Sequence, residues 1–411
     1  MQREHIDEAL DELDRRLQMY RTDRYPVQHA TAQFHKGVLM LQLSDAEAAR
    51  SALEVATSLF DPAGLPVEHA KARNMLGVAL RELGMPEPAA ACFEPAADAF
   101  RSAGLALEEG AALFNLGLAR RETGDLTGSV EAFRAARELL DPERVPGQAA
   151  AAARELGTDL MTSAETEAAV PLFREAVSLA GRANDEAGVA AASNGLGLAL
   201  LATGDLEGAI EALRDAAAAD PRTLRPGGHA TAKANLALAF QAAGHEARAR
   251  LAAQQAAAIP EAPEAVVRQA QALLEVLSID GPAVLRVLEQ EPDASWHRIL
   301  HDELLWWLDL DRTMRSEQAT AWVRSLSGQG DSAEAIAEAW LAALLELPPA
   351  EMERIAAAAL EAAAVVADAE AEAWRQLTAR AMVRFPLPQW DRLRSTFNRV
   401  AEAAGQEATW R

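Results

Sequence analysis

The sequence predicts an all-α protein: a helical-hairpin solenoid with an N-terminal capping helix and a C-terminal helical region. Three observations lead there. Half of the 411 residues are hydrophobic but only 5% are aromatic, so the apolar mass is aliphatic and led by Ala and Leu, which head the helix scale. One motif recurs every 40 residues, and a fixed period of roughly 20–50 residues marks stacked structural repeats. Turn-forming Gly and Pro fall in phase with that motif, where helices must stop.

Residues 1–28 read as a capping helix. Ile6, Leu10, Leu13 and Leu17 form one helical stripe, and in register with the repeats downstream the segment is a lone second helix. It either covers the first hairpin or is a half-repeat that pairs with another chain.

Residues 29–262 hold six copies of the repeat. Leu76-Gly77 recurs as Leu116-Gly117, Leu156-Gly157, Leu196-Gly197 and Leu236-Ala237, with Gly37 in the same phase. Twelve positions after each glycine position stands Ala49, Ala89, Ser129, Ala169, Ala209 or Ala249. Nineteen after it stands Ala56, Ala96, Ala136, Ala176, Ala216 or Ala256. Between these two columns lie Leu53, Phe93, Phe133, Phe173 and Leu213, with Ala253 departing. Gly84, Gly124, Gly204 and Gly244 mark the turn inside each hairpin, with Ser44 and Ala164 as departures. Asp61-Pro62, Asp141-Pro142 and Asp220-Pro221 stop the second helix. The small residues allow helices to cross closely, and the bulky one fills the space left. No hairpin buries its apolar face alone, so neighbours stack.

Residues 263–411 lose the 40-residue phase and contain all eight tryptophans, from Trp296 to Trp410. Helical runs are expected at 263–279, 283–290, 294–308, 315–326, 332–346, 350–384 (broken near Ala367) and 388–404. Asp331 with Glu334 has the spacing of a capping box. This region is either a set of degenerate hairpins or a separate helical interaction domain.

Leu-Gly in a first helix, Gly at the turn, then Ala, a bulky aromatic and Ala in a second helix resembles the tetratricopeptide repeat (TPR) family. Residues 69–108 match that pattern well, the copies from 109, 149 and 189 comparably, and those from 29 and 229 more weakly. The family's first-helix tryptophan is absent, and the 40-residue period is that of the long-repeat branch: kinesin light chains, Pins-like polarity adaptors and bacterial peptide sensors. The resemblance implies a right-handed TPR-like solenoid whose first helices line a concave wall.

On that wall the positions three before, one after and four after the glycine are expected to face a groove. They include Phe34, Val38, Asn74, Val78, Arg81, Phe114, Leu118, Arg121, Arg154, Asn194, Leu198 and Leu238, with Lys71 at the edge and Asn235 one position out of register. Relatives in the family hold a peptide backbone through groove asparagines, which donate and accept together. The arginines then select carboxylates on the partner. The alternative is that the asparagines bridge adjacent copies and the aliphatic residues belong to the core.

The function expected is a non-enzymatic adaptor or scaffold that binds a protein or peptide segment in this apolar, Arg-edged groove. The alternative is a self-associating or auto-inhibited homo-oligomer whose groove is filled by its own C-terminal region or a second chain. A formal charge of −23 argues against nucleic-acid and anionic-membrane partners. One cysteine, Cys92, excludes an internal disulfide. The charged start and the lack of an apolar span predict a cytoplasmic protein. Arginine-rich composition with only Lys36, Lys71 and Lys233 as lysines suggests a GC-rich bacterial genome. His297 and His301 have metal-compatible helical spacing but no glutamate between them, and a packed helix face explains them better. No catalytic residue, metal or cofactor is expected.

Overall fold

The computed structural model describes residues 2–277, 281–406 and 410, excluding the side chains of 2–5 and 7. The chain divides into two compact units, Met1–Thr203 and Gly204–Arg411. That division falls inside the fifth copy of the repeat, whereas the sequence pattern changes at 262/263. All described regular structure is helical.

The amino-terminal unit opens with α1 (Gln2–Met19). Four hairpins come next: α2 (Pro26–Gln42) with α3 (Ala46–Phe60), α4 (Pro66–Glu82) with α5 (Pro86–Ser102), α6 (Ala106–Glu122) with α7 (Leu126–Leu139), and α8 (Pro146–Thr162) with α9 (Thr166–Arg182). α10 (Glu186–Thr203) ends the unit. Each helix packs most heavily on its chain neighbour, and the first helices α2 and α4, α4 and α6, and α8 and α10 also touch. α1 lies on α2 with Leu13 buried.

Local chemistry sets the helix ends. Proline occupies the first turn of α2, α4, α5 and α8, where its missing N–H costs nothing and its φ is already helical. Asp45 and Asp125 cap α3 and α7 by accepting from the N–H of Ala48 and Gly128. His29 Nδ1 reaches the Tyr20 carbonyl at 2.7 Å, which ties a helix start to the end of the preceding element.

The glycine column is explained by direct packing. A Cβ on Gly37 would lie 2.5 Å from Leu53, on Gly77 2.6 Å from Phe93, on Gly117 2.8 Å from Phe133, and on Gly157 3.1 Å from Phe173. Each glycine therefore seats the bulky residue sixteen positions later, in the second helix of its own hairpin. Both small-residue columns are 0–1% exposed from Ala49 to Ala256.

The hairpin turn needs a left-handed residue. Gly84 and Gly124 have φ of 72° and 84°, and the departures Ser44 and Ala164 adopt 60° and 64°. A side chain there costs roughly 1–2 kcal/mol. Ala164→Gly is expected to stabilise the chain by about 1 kcal/mol, seen as a higher urea midpoint with an unchanged slope. A neutral or destabilising result would show that the turn relaxes freely.

In the carboxy-terminal unit, α11 (Leu206–Ala219), α12 (Pro226–Ala242) and α13 (Glu246–Ala258) complete the periodic part, followed by α14 (Glu264–Val276) and α15 (Ala283–Leu288). Then come α16 (Asp293–Asp309), α17 (Arg312–Leu326), a 3-10 turn (Ser327–Ser332), α18 (Ala333–Glu346), α19 (Pro349–Val365), α20 (Asp368–Met382) and α21 (Leu387–Ala403). α14 packs on α13 and α12 as the next first helix would. From α16 on the packing changes. α16 rests on α18 and α18 on α20, α17 rests on α19 and α19 on α21, while successive helices barely touch.

Trp307, Trp322, Trp340 and Trp374 are at most 2% exposed, and Trp322 stacks on Trp340 at 6.0 Å. The tryptophans thus anchor a core. The capping box expected at Asp331 and Glu334 does not form: the 3-10 turn takes up this segment, Ser332 precedes α18 without a side-chain cap, and Glu334 pairs with Arg380 of α20 and with Arg384 just beyond it.

Candidate functional site

In the amino-terminal unit the expected groove stripe comes from the first helices. Phe34, Val38, Val78, Phe114, Leu118 and Leu198 are all half-buried, neither sealed in the core nor fully in water. Their 40-residue spacing follows from the glycine–aromatic register, which fixes how each first helix is rotated. Phe114 leans on Phe133, with ring centroids 5.5 Å apart. Asn194 of α10 is half-buried as well. Thr158 interrupts the stripe in the fourth copy and is exposed, as is Lys71 at the edge.

The polar residues of the stripe tie hairpins together. Asn115 Nδ2 donates to Asn74 Oδ1 at 3.3 Å, so this pair bridges adjacent copies. Arg81 donates to Glu122 at 2.9 Å. Arg121 donates to Glu155 at 2.6 Å, lies 3.3 Å from Asp159, and sits over the Phe133 ring at 5.3 Å. Arg154 holds the same Glu155 at 2.6 Å. These arginines already have carboxylates, supplied by the next first helix or, for Arg154, by the adjacent residue.

Asp159 was not legible as part of this network. It stands in a column that reads Ala79, Ala119, Ala199 and Ala239 in other copies, and it is 0% exposed. Burial raises its pKa, while the Ser129 hydroxyl and Arg121 pull it down. Ser129, itself the departure from an alanine column, lies within hydrogen-bond reach of both Asp159 and the Gly117 carbonyl. A polar residue in each of two alanine columns of adjacent copies was the available signal.

In the carboxy-terminal unit Asn235 is buried and accepts from Gln269 of α14 at 3.2 Å. Leu238 is half-buried. The opposite face of α12 lines a cavity of about 390 Å³, whose basic residues include Arg214, Lys233, Arg248 and Arg298. The sequence pattern did not single these out as a group, because α11, α12, α13 and α16 each contribute one.

His297 and His301 both face Glu346 of α18, at 3.3 and 3.8 Å. Among the described residues no group of three or more His, Cys, Asp or Glu is arranged to hold a metal ion. Among them, too, no helix is long and apolar enough to cross a membrane.

The tetratricopeptide repeat signature matches residues 74–149 and 154–222. No curated protein matches the chain. Among solved structures, BtubC from P. vanneervenii is similar at 17% identity over 58% of this chain and 93% of its own, with a TM-score of 0.44. The quorum sensor NprR from B. thuringiensis is similar at 13% identity over 67% of this chain and 84% of its own, with a TM-score of 0.46. YrrB, described as a TPR protein with an unusual peptide-binding site, is similar at 18% identity over 49% of this chain and 92% of its own, with a TM-score of 0.37. Hairpins in which a first-helix glycine seats a bulky second-helix residue, together with the signature over residues 74–149 and 154–222, show that this part of the chain is built of tetratricopeptide repeats.

Proposed function

We propose that the chain is a non-enzymatic adaptor that holds a protein or peptide segment against its first-helix stripe. The observation that carries this is the row of half-buried aliphatic residues at Val38, Val78 and Leu118. A wall serving only to face solvent would be polar at these positions, and a recurring apolar row favours a covering partner. The partner's contribution is then apolar, as from one face of a helix or an extended segment. Arg81 and Arg121 shape the wall from within their ion pairs, and Lys71 offers an exposed positive charge at its edge.

Phe114→Ala with Leu118→Ala tests this without disturbing Arg121. Affinity purification of the full chain from its native host, with partners identified by mass spectrometry, is expected to lose its main protein at least tenfold in the double variant. A melt retaining the wild-type cooperativity serves as the control. Undiminished capture overturns the proposal. Capture of the chain's own second copy, lost in the same variant, would replace the adaptor with a self-associating assembly.

A further inference from the structure

The cavity in the carboxy-terminal unit carries an unbalanced charge. Lys233 is paired with Asp302 at 3.3 Å and donates to Gln255 at 3.0 Å. Arg248 is paired with Glu291 at 3.0 Å. Arg214 and Arg298 also line the cavity, and among the described residues neither has a carboxylate within ion-pair distance. Four cations against two carboxylates leave two positive charges uncompensated, in a chain whose formal charge is −23.

The guanidiniums crowd one another. Arg214 and Arg248 lie 5.5 and 6.0 Å from the centroid of the same ring, Phe240. Burial lowers the pKa of Arg214, Glu291 pulls it back up, and Arg248 and Arg298 push it down. The Arg248 Nε–H is buried with no acceptor among the described residues. His229 adds no charge at neutral pH: burial lowers its pKa, and its Nδ1 faces the carbonyls of Ala217 and Asp220. Apart from Ser295, the rest of the wall is apolar, including Leu236, Leu251 and Ile299.

We propose that this cavity binds a phosphate monoester, its dianionic head held by Arg214 and Arg298 and its apolar body laid against Phe240 and Ile299. Guanidinium forks match phosphate oxygens in pairs. A phosphate monoester carries about −1.5 to −2 charges near neutral pH, which matches the surplus, whereas one carboxylate would leave half of it. A cavity of about 390 Å³ lies within the roughly 300–1,000 Å³ of small-molecule sites. The chain's overall negative charge does not oppose this, since repulsion beyond a Debye length of about 8 Å is screened at physiological salt. The site lies on a different face of α12 from Leu238 and stands independently of the adaptor proposal.

Calorimetric titration of the full chain with phenyl phosphate, at fixed ionic strength, tests it. Saturable one-to-one binding is expected, at least tenfold tighter than benzoate, which has the same body and one charge. Arg214→Met and Arg298→Met are each expected to weaken it at least tenfold, while Arg268→Met, an exposed position of α14, leaves it unchanged. A wild-type melt in each variant confirms folding. Equal affinity for phenyl phosphate and benzoate, or binding unaltered in the double Arg variant, overturns the proposal. With the site established, a phosphotyrosine peptide binding more tightly than phenyl phosphate assigns a protein source, and the reverse order a free metabolite.

Discussion

Replacing Glu303 by Gln stabilises the carboxy-terminal unit by roughly 3 kcal/mol at pH 7 and has almost no effect near pH 4. Glu303 is 3% exposed on α16, amid the tryptophan core. Trp307 Nε1 donates to its Oε1 at 3.0 Å, and Oε2 has no partner among the described residues. Burial pushes its pKa up to about 8, against the Trp307 hydrogen bond and helped by Asp302.

The folded chain therefore keeps this proton up to about pH 8, while the unfolded chain loses it near pH 4.3. The stabilisation from this group is complete below the unfolded pKa and is lost as pH rises toward the folded pKa. Glutamine keeps the acceptor for Trp307 and does not titrate. Urea denaturation followed by tryptophan fluorescence reports this unit alone, since every tryptophan lies in it. A difference between wild type and variant that stays flat from pH 4 to 8 would show that Glu303 is ionised in the fold.

The second large effect is a reversal of sign. Phe133→Ala is expected to cost about 3–5 kcal/mol, because it empties a fully buried site. Gly117→Ala alone is expected to cost about 1–2 kcal/mol, since its Cβ would lie 2.8 Å from the Phe133 ring. That exceeds the gain of roughly 1 kcal/mol in helix propensity. In the Phe133→Ala background the ring is gone, so the same Gly117→Ala change should stabilise by about 1 kcal/mol, through propensity and partial filling of the void.

The sixth copy already carries this combination, with Ala237 and Ala253 both at 0% exposure. A four-member mutant cycle in urea, followed by far-ultraviolet circular dichroism, measures the coupling. Additive energies would mean that the glycine column does not serve to seat the ring.

The hairpins were legible because their packing repeats. A glycine, a bulky residue and two small-residue columns recur at one spacing, so each position was read six times, with Ala237 and Ala253 the paired departure. The chain from α16 onward offers no repetition, and its packing depends on contacts such as that of Trp322 with Trp340, 18 residues apart. Residue types alone could not say whether Arg121 waits for a partner or is held by Glu155, because that depends on a distance set by the stacking. Arg214, Arg248 and Arg298 are further still from a readable pattern: they sit on three helices and share no spacing.

The ties from Arg81 to Glu122 and from Arg121 to Glu155 and Asp159 run from one first helix to the next. They act as struts along the edge of the stack. Sliding or splaying two hairpins must stretch a charged link as well as shear an apolar seam. The Arg81–Glu122 strut is partly in water and so yields to ionic strength. The Arg121–Asp159 strut, with its carboxylate sealed from solvent, does not. Salt therefore makes the stack more pliant between its second and third hairpins than between its third and fourth, so the same array flexes unevenly along its length.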